Sequence, residues 1–242
     1  MAGYKESFLQ EHPIAFELYL VRHGNSRGNA GTQIDTLEGR ENPELTELGI
    51  HQAQLLGQRF SDFPLDCVIS SGLERAVRTA EEVVKRQPEN GASRVEINPV
   101  FTEERLNPEY KGKTLSEIKK EHPCAVIAEG ADKYELTVCH TQTNEESLKR
   151  AEEALEYLKN RFKNGERVMV VAHAAFLTDL FLKICKIAEE PKYDPSFFNT
   201  GVTKFIFYEE GKGLYNKDIG LIYLNECSHF DDELKFMYYY GY

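Results

Sequence analysis

Short apolar runs alternate with amphipathic helical patterns along this chain, and that alternation restricts the fold more than any single motif does. Residues 16–21 (FELYLV) predict a strand. Residues 46–60 predict a helix, with Thr46 placed to cap it and Leu48, Gln52, Leu55, Leu56 and Phe60 on the 3.6-residue period. Residues 66–70 (DCVIS) predict a strand, and residues 74–85 a helix with Ala76, Val77, Ala80, Val83 and Val84 on its apolar side. A strand follows at 94–99, ended by Pro99. Residues 145–162 carry Leu148, Ala151, Leu155, Leu158 and Phe162 on one face, the pattern of an amphipathic helix. Residues 167–172 (RVMVVA) predict a buried strand and 176–185 a buried helix. Two further strands are expected at 201–208 and 219–224.

Strands interleaved with helices imply an α/β fold in three layers, a mostly parallel sheet flanked by helices. No linker rich in Pro, Gly or Ser divides residues 1–242, so a single domain is expected. Residues 101–143 are the least regular part. They are polar and hold Pro108 and Pro123, with one short helix expected at 115–122. We read this stretch as a lid insertion over the carboxyl-end edge of the sheet.

Charge and cysteine usage narrow the function. Forty acidic against 29 basic side chains give a net charge of -11, which disfavours nucleic acid as a partner because no basic stripe is left to displace counterions. The longest uncharged stretch of the most apolar region, residues 168–178, is far shorter than the ~20 residues a membrane helix needs, so no membrane partner is expected. Residues 1–13 lack the apolar core of a signal peptide, and Gly3 is off the myristoylation position. Five scattered cysteines with no CxxC pair fit reduced thiols in the cytoplasm and disfavour zinc.

Ligands of open α/β sheets bind beyond the carboxyl ends of the strands. There the sequence places Arg22, His23 and Gly24 after the first strand. Ser71, Gly72 and Arg75 follow the second, and His173 follows the strand at 167–172. An acidic chain has gathered two arginines and two histidines at one edge, the chemistry of a site for a small dianion such as a phosphate monoester. Each residue also has a structural reading: the histidines as strand-end core residues, Arg22 and Arg75 as ion-pair partners, Ser26 and Asn29 as loop caps.

This constellation resembles the histidine phosphatase superfamily, the phosphoglycerate-mutase-like proteins. The resemblance rests on Arg22-His23-Gly24 with Ser26 and Asn29, and on Leu45-Thr46, Gly49 and Gln52-Ala53. It continues through Ser70-Ser71, Leu73, Arg75-Ala76 and Thr79-Ala80-Glu81, then Glu104 eight residues before Gly112, then Ala172-His173. A weaker segment holds Asn199-Thr200, Leu224-Asn225 and His229. The segments run in the family's order from Leu18 to His229. Asn25, Ala174 and Ala154 depart from the common pattern and bear on substrate choice.

The resemblance implies phosphoryl transfer to a histidine, with His23 as nucleophile. Arg22, Arg75, Asn29 and His173 would hold the phosphoryl oxygens, and Glu104, chosen over Glu103 by its spacing to Gly112, would be the general acid and base. Catalytic roles thus fall on His23, Glu104, His173 and Arg22. No cofactor and no metal are expected, since two guanidinium groups supply the charge a metal would bring. The expected partner is a small phosphorylated substrate. Arg105, Lys111, Lys113 and Lys133 of the lid stand either as readers of a second anionic group or as a solvated face. The 69 residues from Glu104 to His173 favour a phosphatase over a phosphoglycerate-type mutase. A non-catalytic phospho-ligand-binding domain and a metallohydrolase are the readings from other classes.

Overall fold

The computed structural model describes residues 11–134, 137–187, 195–232 and 234–235. Seven strands build one sheet: β1 (Ile14–Arg22), β2 (Cys67–Ser70), β3 (Val95–Ile97), β4 (Ala125–Ile127), β5 (Glu166–Ala172), β6 (Val202–Tyr208) and β7 (Ile219–Glu226). Their order is β4-β3-β2-β5-β1-β6-β7. The first five run parallel, and β6 and β7 pair antiparallel at one edge. The expected mostly parallel sheet is therefore present.

Among the described residues, these α-helices accompany it: α1 (Leu37–Glu41), α2 (Glu47–Arg59), α3 (Glu74–Val84), α4 (Leu115–Glu121), α5 (Asn144–Arg161) and α6 (Ala174–Cys185). The alternation along β1 decides the layers. Phe16, Leu18 and Leu20 point to one side, where they pack with Ala151, Leu155 and Leu158 of α5 and Phe176 and Leu180 of α6. Tyr19 and Val21 point to the other, against Leu56 of α2, Ala76, Ala80 and Val83 of α3, and Ile118 of α4. Both faces of the central strands are covered, as a parallel sheet requires.

Helix starts fall where the sequence places capping groups. Thr46 accepts from the Gly49 amide at 3.1 Å. Thr114 and Thr143 each form a full capping box, with Glu117 and Glu146 as the reciprocal partners. Helix α6 begins two residues earlier than its apolar pattern, with His173 itself at the N-cap.

The segment 101–143 departs from the lid expectation. Residues 115–127 belong to the body: α4 packs through Ile118, and β4 extends the sheet beside β3. A three-residue strand is too short to leave a periodic signal. Only the flanking parts reach the carboxyl-end edge. Leu106, Tyr110 and Val138 pack there with Leu73 at the start of α3 and Leu37 at the start of α1. The aromatic segment 236–242, singled out for its composition, lies outside the described residues.

Candidate active site

The loop leaving β1 carries the Arg-His-Gly triplet, and the motif residues around it hold that loop in place. Gly24 donates its amide to Thr79 Oγ1 at 3.0 Å, and Asn25 donates its amide to Gln52 Oε1 at 2.8 Å. The Thr46 hydroxyl donates to Asn25 Oδ1 at 2.8 Å. Gly49 lies so close to the Asn25 backbone that any Cβ there would overlap the Asn25 carbonyl. Gly72 is confined in the same way by Thr137. On the other side Asn199 donates to the His23 carbonyl at 2.8 Å. The sequence segments that define the resemblance thus meet around one turn of backbone.

His23 is buried, and its two ring nitrogens have distinct partners. Nδ1 lies 2.7 Å from the Gly24 carbonyl, which only accepts, so Nδ1 carries the proton. Nε2 receives the Nε–H of Arg75 at 3.2 Å and therefore presents its lone pair. Burial, then the charges of Arg75 and Arg22, hold the imidazole well below its ordinary pKa, so it is neutral at physiological pH.

The other groups converge on it. The ring of His173 lies 5.1 Å from that of His23, centroid to centroid. His173 Nε2 is 2.8 Å from Ser71 Oγ, while Nδ1 is buried with no partner. Burial, then Arg75 and His23, hold this imidazole neutral as well. Arg75 is buried at the start of α3, and its Nη1 donates to the Glu41 carbonyl at 3.1 Å. Burial lowers its pKa to about 10, which leaves it cationic at neutral pH. Arg22 donates Nη1 to the Phe197 carbonyl at 2.8 Å, and its Nε is buried without a partner. Two guanidinium groups, two neutral imidazoles and unsatisfied donors meet at the ends of β1, β2 and β5, an arrangement with the charge and donors to accept a small dianion.

Asn29 is exposed, and its Oδ1 accepts from the Ser26 amide and hydroxyl at 3.2 Å each and from Asn199 at 3.3 Å. Those bonds use its carbonyl oxygen and not its amide nitrogen.

The two adjacent carboxylates take different surroundings. Glu103 accepts from the Phe176 amide at 3.3 Å, in the first turn of α6, and its charge acts on Arg22 and Arg75. Glu104 is half-buried, and the charges of Asp179 and Arg150 act on it. Its Oε1 is buried without a partner. Burial, reinforced by Asp179 and Glu103, raises its pKa to about 7.

Three residues here were not picked out from the sequence. The sequence places Ser71 at a strand end and in a motif, with no role of its own. Arg150 is buried on α5, where it donates to the Val100 and Thr102 carbonyls and to Thr141 Oγ1, with its guanidinium 4.7 Å from the Phe176 ring centre. Its position three residues after Ser147 and four before Ala154 puts it on the buried side of the helix, a signal the sequence held. Asp179 sits six residues after His173 on α6.

The cations of the expected lid are engaged elsewhere. Lys113 pairs with Glu121 at 3.3 Å, Arg105 bonds Asn144, and Lys133 lies over the Tyr134 ring. Among the described residues a metal-type grouping occurs at Glu74, Glu121 and His122, and neither His23 nor His173 belongs to it.

Known proteins share this arrangement of chain. In the solved structures, the phosphoserine phosphatase of Entamoeba histolytica in complex with 3-phosphoglyceric acid aligns with a TM-score of 0.58 at 23% identity, covering 88% of this chain and 98% of that one. Among curated sequences, a candidate phosphoserine phosphatase of Hydrogenobacter thermophilus is 27% identical over 88% of this chain and 96% of its own. A phosphoglycerate mutase of Schizosaccharomyces pombe is 28% identical over 69% and 78%. The "Probable phosphoglycerate mutase GpmB" of Photorhabdus laumondii is 44% identical, but only over 28% of this chain and 31% of its own length. The family profile described as the histidine phosphatase superfamily (branch 1) matches residues 18–217, a span from β1 to beyond β6 that takes in both histidines and both arginines. On that match the chain belongs to the histidine phosphatase superfamily.

Proposed function

We propose that this protein is a phosphomonoester hydrolase that acts on small phosphorylated metabolites through a phosphohistidine on His23, without a metal. The observation that carries the reading is the fixed tautomer of His23: Nδ1–H is spent on the Gly24 carbonyl, and Nε2 offers its lone pair beside Arg75. A neutral imidazole so held is a nucleophile at neutral pH and needs no separate base.

Nε2 attacks phosphorus while Arg22 and Arg75 hold the non-bridging oxygens. With the Ser71 hydroxyl donating to His173 Nε2, the ring proton of His173 sits on Nδ1, where it adds a donor to the developing charge. Asn29 contributes its amide nitrogen. Glu104 gives its proton to the leaving oxygen, then takes one from the water that cleaves the P–N bond. Its pKa of about 7 suits both roles. The guanidinium charges stand where a metal would otherwise be needed. The five cysteines, all free, suit a reducing compartment, and we place the protein in the cytoplasm.

The names of its relatives support a second reading, phosphoglycerate-type mutase activity. The fate of the phosphoryl group separates the two. A screen of phosphorylated metabolites should release inorganic phosphate, equally with and without excess chelator. Phosphate that moves between positions of phosphoglycerate instead would establish the mutase, and loss of activity in chelator would refute the metal-free mechanism. The trapped phosphoenzyme should be labile in acid and stable in alkali.

A further inference from the structure

Arg150 is buried on α5, yet among the described residues its hydrogen bonds end on neutral oxygens and on no carboxylate. Nη1 donates to the Val100 carbonyl at 3.3 Å and to the Thr102 carbonyl, and Nη2 donates to Thr141 Oγ1 at 3.1 Å. The guanidinium stands 4.7 Å from the ring centre of Phe176, in the first turn of α6. One side chain therefore ties α5 to residues 100–102, to Thr141 and to α6. A guanidinium taken out of water without an ionic partner is costly, and packing alone would be served by an apolar side chain. What the clamp holds is the backbone on which Glu104 stands. Arg105, the next residue, has a φ of 54°, in the left-handed region that a residue with a Cβ adopts only when its surroundings enforce it. Its amide donates to the Thr141 carbonyl at 3.0 Å, so the residue whose hydroxyl Arg150 grips also fixes this strained turn. On the other flank, Glu103 Oε1 accepts from the Glu104 amide at 3.0 Å and from the Phe176 amide at 3.3 Å. Glu104 is thus held between Thr141 and α6, and Arg150 engages both.

We propose that Arg150 is a positioning residue: its clamp on residues 100–102, Thr141 and Phe176 sets the turn that aims the Glu104 carboxyl at the leaving oxygen. This rests on the role given to Glu104 above. Arg150 forms no bond in the reaction and carries no proton. Its effect falls on the transfer of the Glu104 proton to the oxygen that departs as the bond from His23 Nε2 to phosphorus forms. A displacement of the acid by ~1 Å slows such a transfer by up to about 10²-fold. The anchoring of the phosphoryl group by Arg22 and Arg75 stays in place. The consequence is a split between substrates: an alkoxide needs the proton to leave, and a nitrophenolate does not.

The test reads kcat/KM for glycerol phosphate and for p-nitrophenyl phosphate in Arg150→Lys, in Thr141→Val and in the native enzyme. This constant covers the steps up to loss of the leaving group, and the ratio of the two values does not depend on how much of a preparation is folded. Lysine keeps the positive charge and loses the planar fork, so the comparison isolates geometry. The alkyl-to-aryl ratio should fall about tenfold in Arg150→Lys. It should fall roughly threefold in Thr141→Val, which takes away only the oxygen that accepts from Nη2 and Ser147. If Arg150→Lys does not fold, Thr141→Val decides alone. A merely structural clamp would lower Tm and leave the ratio at its native value, and that result overturns the proposal. Glu104→Gln separates it from the reading beneath it. If Glu104→Gln leaves the ratio unchanged, the role of Glu104 fails; if it lowers the ratio and Arg150→Lys does not, only the clamp fails. In Glu104→Gln combined with Arg150→Lys the ratio should fall no further than in Glu104→Gln alone, since the two act through one group. An added loss there would mean that Arg150 reaches the leaving group by another route, which also overturns the proposal.

Discussion

Arg75 Nε points at His23 Nε2 across 3.2 Å, so the cation proposed to hold phosphate also adds, after burial, to what keeps the proposed nucleophile unprotonated. One contact serves two ends. It places a positive charge beside a ring whose pKa must stay low, and it occupies the nitrogen that a phosphoryl group will take. On the proposed mechanism, substrate binding moves this guanidinium from nitrogen to oxygen.

Arg75→Lys should therefore behave as a loss rather than a conservative change. Lysine cannot bond His23 and the Glu41 carbonyl together from a planar fork. We expect a fall in kcat/KM on p-nitrophenyl phosphate of about 10²-fold, in the range for removing one preorganised donor. His23→Ala should fall at least ~10³-fold. Steady-state kinetics check both, and a lysine variant within threefold of native would show that the fork geometry is unimportant.

Glu103 and Glu104 should separate by substrate. Glu104→Gln removes the proposed proton donor, so alkyl phosphates, whose alkoxides leave poorly, should lose about 10²-fold or more in kcat/KM, and aryl phosphates much less. Glu103→Gln removes a negative charge beside Arg22 and Arg75 and should act on both substrate types alike. If the two patterns are exchanged, Glu103 is the acid.

The layers and the site edge were legible because long strands and helices bury continuous stripes, and those stripes repeat in sequence. The strand at 167–172 and the helix at 145–162 lie within about a residue of β5 and α5. What escaped was short or non-periodic: α1 with five residues and β4 with three owe their form to neighbours already in place. The site divides in the same way. Arg22 ends β1, His23 and His173 directly follow β1 and β5, and Arg75 stands in the first turn of the helix after β2, so topology brings them together. The partners of Glu104 lie 46 and 75 residues further along, at Arg150 and Asp179, and only packing of α5 on α6 makes them neighbours.

His122 offers a test of stability rather than catalysis. It is buried between Glu74, 2.9 Å from Nε2, and Glu81, 3.3 Å from Nδ1. Burial opposes its charge, but the two carboxylates outweigh burial and raise its pKa above the ordinary value. A raised folded pKa contributes stability that is fully present below about 6.5, the unfolded value, and is lost as pH rises through the folded value. His122→Gln should therefore lower Tm most near pH 6, with the gap to native narrowing toward pH 9. Both carboxylates stay ionised across that window. A gap that is constant with pH would mean that His122 is neutral in the fold.

Gly49 separates loop geometry from chemistry. It lies on α2 and is given no chemical role, yet a methyl group there overlaps the Asn25 carbonyl, and Asn25 is two residues from His23. The contact is backbone against backbone, so no side chain can rotate to relieve it. Gly49→Ala must push the loop off α2, loosening the Asn25–Gln52 and Gly24–Thr79 bonds that fix the turn. In an exposed helix interior the same substitution would stabilise by roughly 0.5–1 kcal/mol. Here it should destabilise, and it should lower kcat by about 10²-fold even where the protein stays folded, because a displacement near 1 Å is enough to spoil an in-line attack. Thermal melts and kinetics on the same preparation check this. A variant that gains stability and keeps native turnover would show that the loop tolerates movement and that the close approach at Gly49 does not position His23.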